Sequence, residues 1–205
     1  MGSIGEYLWV PPILFALCFH EFSHAWTAYQ LGDDTAKNQG RLTLNPLYHL
    51  DLWGTLLLLV AHFGWAKPVP VNPNNFRNPG QGMMITALAG PASNILCAIV
   101  FALIFRIIFL FSQEISGSLY TIFYYSVLIN WALAIFNMIP IPPLDGSKVF
   151  MYFSRMELET QMQFERFGPM LLVGLILISV STPLNLFGIF LWPLSQFFTA
   201  FLMPF

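Results

Sequence analysis

Charge is what this chain has least of. Only 9% of its 205 residues are Asp, Glu, Lys or Arg, against ~25% in an ordinary soluble domain. With 57% hydrophobic and 17% aromatic residues, that scarcity excludes a water-soluble globule and predicts an integral membrane chain. Lys and Arg number eight and form no patch, and the net charge is -2, so no nucleic-acid partner is expected. Cysteine is nearly missing. Cys18 and Cys97 both fall in apolar segments, and nothing about them calls for an oxidising compartment. Histidine occurs four times, too few for the several histidine boxes of a membrane di-iron oxygenase. No basic region precedes Leu8, so the N-terminus is expected to be retained rather than cleaved as a secretory signal.

What remains is apolar sequence, long enough for four or five spans of ~20 residues with connections. No room is left for a separate soluble domain. The fold class predicted is therefore an all-α membrane protein, a bundle of about four to five transmembrane helices forming one domain over 1–205. Nearly charge-free runs place spans at Leu8 to Leu31, Gly82 to Phe111 and Leu119 to Ile139. A final run from Phe167 to Phe205 is interrupted by Ser181-Thr182-Pro183-Leu184-Asn185, which leaves one or two crossings open. Leu52 to Trp65 is too short to cross a ~30 Å core and reads as a re-entrant or interfacial element. Trp65 to Asn72, with Pro68 and Pro70 alternating with Val69 and Val71, favours extended, β-like backbone. Arg155 to Arg166 reads as an amphipathic helix at the membrane surface.

Basic residues set the orientation. Lys37, Arg41, Lys67 and Arg77 lie between the first and second main spans, and Lys148, Arg155 and Arg166 follow the third. If Leu52 to Trp65 does not cross, all seven share one side, which is the cytoplasm by the positive-inside rule, and the N-terminus is outside. Arg106, near the outer end of the second span, is expected to snorkel.

Inside the first span stands His20-Glu21-Phe22-Ser23-His24. Residues four apart share a helix face, so both histidines can bind one zinc ion, with Glu21 beside them as proton-transfer base. Ionisable groups in hydrocarbon cost several kcal/mol unless paired or bound to something, and a metal supplies that reason. Cys18, two residues before His20, points about 200° away and is discounted as a ligand. A catalytic zinc site needs a third protein ligand and an open position for water. His49, Asp51, His62 and Asp145 are the candidates. Asp145 follows Pro140-Ile141-Pro142-Pro143-Leu144, where a span ends at about the depth of His24, yet an Asp before Gly after prolines is also a common turn or helix-start residue. Asn94 lies among Ala87, Ala89, Gly90 and Ala92, where its amide either joins two helices or faces a substrate carbonyl or developing oxyanion. Asn137 either orients backbone near the metal or caps its helix.

These motifs together resemble the site-2 protease family of intramembrane zinc metalloproteases, in particular its compact members without extra soluble domains. The resemblance rests on His20 to Ala25, on Arg41 to Leu47 followed by His49 and Asp51, on Trp65 to Val71, on Ala89 to Asn94 and on Asn137 to Gly146, ordered over 19–148. It implies that Asp145 is the third ligand of one Zn2+ per chain, held with His20 and His24, and that Asn94 acts in the active site. With it come Asn137, Pro68, Val69 and Pro70 as substrate-binding residues. The expected activity is hydrolysis of peptide bonds within or near a transmembrane helix of a membrane-tethered regulator, with a single-span protein as substrate and the lipid bilayer as host. The site is expected toward the cytoplasmic side of a multi-pass protein in a bacterial cell membrane. A metal-binding membrane transporter would spread polar groups along a path, and an inactive scaffold would have lost a ligand or the base.

Overall fold

The computed structural model describes residues 7–61, 64–112, 115–182 and 185–203. Among these residues the structure is helical without a named strand. Helix α1 (Val10–Gln30) carries the histidine motif, α2 (Thr35–Asn38) is a single turn, and α3 (Leu52–Ala61) is a 10-residue helix. Then come α4 (Pro79–Phe111), α5 (Gly117–Asn137), α6 (Asp145–Ser154), α7 (Leu158–Ser181) and α8 (Leu186–Leu202). Three helical segments are long and apolar enough to cross a membrane, Pro79–Phe111, Gly117–Asn137 and Leu158–Ser179. The chain is a multi-pass integral membrane protein. Helix α1 equals α5 in length at 21 residues but contains His20, Glu21, Ser23 and His24. Helix α8 belongs to the shorter apolar helices. At ~1.5 Å per residue, α3 as described spans only ~15 Å, about half of a ~30 Å membrane core.

Local chemistry fixes where these helices start. Asn78 accepts the Gln81 N–H ahead of Pro79 at the first helical position, and Ser116 accepts the Leu119 N–H. Side-chain caps of this kind satisfy N–H groups that have no carbonyl partner within the helix. Helix α1 stops at Leu31, after which Gly32 takes φ 102° and turns the chain so that the Asp33 N–H returns to the Ala28 carbonyl. That positive φ suits glycine.

Helix α4 is the centre of the molecule, packing on α1, α5 and α6, while α5 also contacts α1 and α8. Buried Ala16, Ala25 and Ala28 on α1 and Ala87 and Ala98 on α4 let backbones approach closely, as small residues do between membrane helices. Away from the histidines, Ala98, Ala102, Phe105, Val127 and Met203 form one buried apolar cluster. Arg106 does not simply reach outward: its Nε donates to the Leu202 carbonyl at 3.0 Å and caps the end of α8.

Two expectations are corrected. The stretch from Trp65 to Asn72 is not a strand; its only ladder-like pairing among the described residues is an isolated antiparallel bridge between Leu50 and Ala66, with Lys67 N donating to His49 O at 2.8 Å. Pro68 and Pro70 have no N–H to offer, so a ladder cannot propagate. The segment from Arg155 to Arg166 is not a separate surface helix. Arg155, left-handed at φ 49°, ends α6, and α7 then runs unbroken from Leu158 through Pro169 to Ser181, with Glu159 in its first turn. An acidic residue there complements the helix dipole.

Candidate metal centre

Two imidazoles face each other from successive turns of α1. Their ring planes are 85° apart with centroids at 4.6 Å, and His20 Nε2 lies 3.0 Å from His24 Nε2. Each ring is held from behind by α4. His24 Nδ1 is 2.7 Å from the Thr86 carbonyl, which can only accept, so the proton of this ring is on Nδ1. His20 Nδ1 is 2.6 Å from Asn94 Oδ1. The Asn94 amide nitrogen donates to Ala16 O at 3.2 Å and to Asn130 Oδ1 at 2.9 Å, so its oxygen is the end that receives the His20 proton. Both Nε2 lone pairs are therefore turned toward one point.

A carboxylate oxygen meets them there. Asp145 Oδ2 is 3.2 Å from His20 Nε2 and 3.4 Å from His24 Nε2, and one ligand atom from each residue falls within 4.8 Å of the others. This oxygen is buried without a hydrogen-bond donor among the described residues. Three buried lone pairs converging without a donor repel one another. A proton on one ring would relieve one pair; a cation between the three relieves all of them. Two neutral imidazoles and one carboxylate, with Nδ1–H groups held by a carbonyl and an amide, are the donor set and outer shell of a catalytic zinc site.

Gly90 completes the cradle. A Cβ added there would lie 2.5 Å from His20 Cε1, 2.5 Å from His24 Nε2 and 2.6 Å from His20 Nε2, so α4 can press on the histidine face only because this residue has no side chain. Asp145 arrives from the other direction. After α5 ends at Asn137, the turn through Pro140, Pro142 and Pro143 leads into α6, whose Gly146 packs directly on the Met138 carbonyl. Leu144 O accepts from Ser147 Oγ at 2.6 Å, which fixes the first turn of α6 and the carboxylate at its start.

Glu21 is buried beside the histidines, and its Oε2 accepts the Val69 N–H at 2.9 Å. The cleft in front of it, about 310 Å³, is lined by the three convergent side chains and by Glu21, Pro68, Val69, Asn137 and Lys148 among others. At ~30 Å³ per liquid water it has room for several waters or a short length of chain.

The candidates divide clearly. His20, Glu21, His24, Asp145, Asn137, Pro68 and Val69 come together around one cleft, whereas Pro70 does not line it. Asn94 sits behind His20, fully buried, with both ends of its amide engaged, so it is not free to face a substrate carbonyl. His49 is buried and bonded to the Thr43 carbonyl, and Asp51 caps Gly54, which removes both from the ligand set. His62 lies outside the described residues. The carbonyl of Thr86, the amide of Asn130 and the Val69 N–H were not foreseen. A backbone group leaves no trace in residue identity, and Asn130 is one more amide on an apolar helix.

Comparison with known proteins agrees with this geometry. The model of Peptidase family M50 matches residues 106–181. A protein of Bacillus subtilis (strain 168) named "Putative zinc metalloprotease YwhC" is 41% identical over 151 residues, 72% of this chain and 68% of that one. A Mycobacterium tuberculosis (strain ATCC 25618 / H37Rv) protein named "Putative zinc metalloprotease Rip2" is 28% identical over 87% of this chain and 70% of its own length. A Methanocaldococcus jannaschii protein named "Putative zinc metalloprotease MJ0611" is 44% identical over 64% of this chain and 62% of its own length. No solved structure gives a significant match. The chain belongs to peptidase family M50, the site-2 protease family.

Proposed function

We propose that this protein is a zinc-dependent intramembrane endopeptidase that cuts single-span, membrane-tethered regulatory proteins within or near their transmembrane helix. The observation that carries the reading is the convergence of His20 Nε2, His24 Nε2 and Asp145 Oδ2 on one point, with the Glu21 carboxylate on the same cleft. His20, His24 and Asp145 would hold the zinc, which when bound would polarise a scissile carbonyl and acidify a water toward neutrality. Thr86 and Asn94 keep the two imidazoles neutral and aimed. Glu21 takes the water proton and returns it to the leaving amine. The Val69 N–H on Oε2 fixes the carboxylate while Oε1 serves as the basic atom. Pro68 and Val69, which line the cleft, lie along the extended substrate main chain and offer it carbonyl acceptors rather than a full ladder, since the prolines have no N–H and the Val69 N–H is held by Glu21, with Asn137 beside the bound chain. A helical peptide bond is shielded by its own hydrogen bonds, so the substrate must unwind before it is cut.

The distribution of seven basic residues supports an outside N-terminus and a site reached by water from the cytoplasm of a bacterial cell. A transporter is disfavoured because the ligating groups gather at one depth, and an inactive scaffold because neither a ligand nor the base is missing. Incubation of the purified protein with a labelled single-span substrate tests the proposal. Cleavage is expected for the wild type, and its loss on chelation, in Glu21→Gln and in Asp145→Asn. Cleavage that survives Glu21→Gln would remove Glu21 as the base.

A further inference from the structure

The segment from Lys67 to Asn72 passes in front of Glu21 without belonging to a sheet, so a few point contacts hold it. At one end the Arg41 Nη2 donates to the Lys67 carbonyl at 2.7 Å, and the Lys67 N–H reaches His49 O at 2.8 Å. At the other end the Asn72 N–H donates to Asp33 Oδ2 at 2.8 Å. Between them the Val69 N–H rests on Glu21 Oε2. Neither peg is a surface contact. Asp33 is 0% exposed and also accepts from Thr35 and from Asn75 Nδ2, at 2.7 Å for the latter. Arg41 is 7% exposed, and its Nε is buried with no partner among the described residues. Burying a guanidinium in this way costs free energy, and the Lys67 carbonyl is the contact it makes.

We infer that Asp33 and Arg41 are positioning residues for the catalytic base, acting through the backbone of Lys67–Asn72. Pro68 and Pro70 flank Val69 and fix φ on either side of it, so pegs at the two ends determine where the single N–H between the prolines points. Moving either peg takes the N–H off Glu21. Pegging the ends also holds the edge on which substrate lies, but the part specific to the base is read in kcat. This inference rests on Glu21 being the base.

The test is a double-mutant cycle on purified full-length protein, measuring kcat, KM and zinc content. Val69→Pro deletes the N–H while keeping extended backbone, and a fall in kcat of about 10- to 100-fold is expected, the worth of one hydrogen bond to a charged group. Asp33→Asn should lower kcat several-fold with zinc content unchanged, and should lower it no further when Val69 is already Pro, because the two act through one bond. An equal fold-loss from Asp33→Asn in both backgrounds, or none in the wild type, would overturn the inference. If Asp33→Asn does not fold, Arg41 decides instead. Arg41→Met should reduce kcat and Arg41→Lys, which keeps a donor for the Lys67 carbonyl, should recover it; a fully active Arg41→Met would overturn the inference. Activity retained by Glu21→Gln would instead mark failure of the underlying assignment.

Discussion

The two sides of the metal centre are held differently. His20 and His24 stand on the same helix, and each has a partner behind its ring, Asn94 and the Thr86 carbonyl, both supplied by α4. Asp145 comes from a third helix across a proline turn, and its inward oxygen has no donor of its own. The histidine side is therefore held by hydrogen bonds behind each ring, whereas the carboxylate is placed by the fold of α6 and its inward oxygen has no donor among the described residues. Preorganised ligands lower the cost of binding, and a carboxylate oxygen with no hydrogen-bond donor is where a bound ion adds most to the folded structure. Removing zinc should consequently loosen residues around 138–148 and leave α1 and α4 as they were. Hydrogen exchange with and without chelator checks this; equal loosening on both sides would erase the contrast.

Substitutions sharpen the contrast in order of size. Glu21→Gln should have the largest effect on turnover, about 10²- to 10⁴-fold for a lost general base, with zinc content unchanged, as elemental analysis would record. Gly90→Ala strikes the histidine side, since its methyl group would overlap both rings. A cost of ~1–3 kcal/mol from overpacking is expected in thermal unfolding, together with loss of zinc. Asn94→Ala should weaken zinc binding by about 10- to 100-fold, as outer-shell changes do, readable by competition with a chromophoric chelator. If Asn94 instead faced substrate, zinc affinity would be untouched and KM would change.

The smallest effect lies outside the spans, at Asp33. Burial would raise its carboxyl, but hydrogen bonds from Thr35, Asn72 and Asn75 outweigh it and hold it below its ordinary value. A carboxyl depressed in the folded state contributes stability that is present above the unfolded value of ~3.9 and is lost as pH falls through the folded one. Asp33→Asn should therefore flatten the acid limb of the unfolding curve below about pH 4 while lowering stability at neutral pH. An unchanged acid limb would show that this carboxylate is not linked to folding.

Much of the centre was legible in residue order because its chemistry is local. Spacing of four on a helix puts His20 and His24 on one face whatever surrounds them, and Glu21 comes with them. Asp145 is only one of four candidates by position, and resemblance carries its assignment; what brings it beside the two histidines is the proline turn and the packing of Gly146 on Met138, which no periodicity encodes. An amide among small residues does not reveal its partners, so residue order leaves Asn94 either joining helices or facing substrate and only resemblance points to the active site; its partners are Ala16, His20 and Asn130 on two other helices. The alternation of prolines and valines over Trp65 to Asn72 carries a backbone preference but names no pairing partner, and among the described residues the structure forms only the isolated Leu50–Ala66 bridge there. Likewise, the charges of Arg155 to Arg166 suggest a surface helix, yet α7 runs on through Gly168 and Pro169 to Ser181, with Gly168 packed against Pro142, a tertiary contact that charge patterning does not show.

Zinc-edge X-ray absorption on purified, active protein tests the central claim most directly. The expected spectrum has one zinc per chain, with two imidazole nitrogens at about 2.0–2.1 Å and oxygen neighbours at about 2.0–2.2 Å. A sulfur shell near ~2.3 Å, a single imidazole, or active protein without stoichiometric zinc would contradict it.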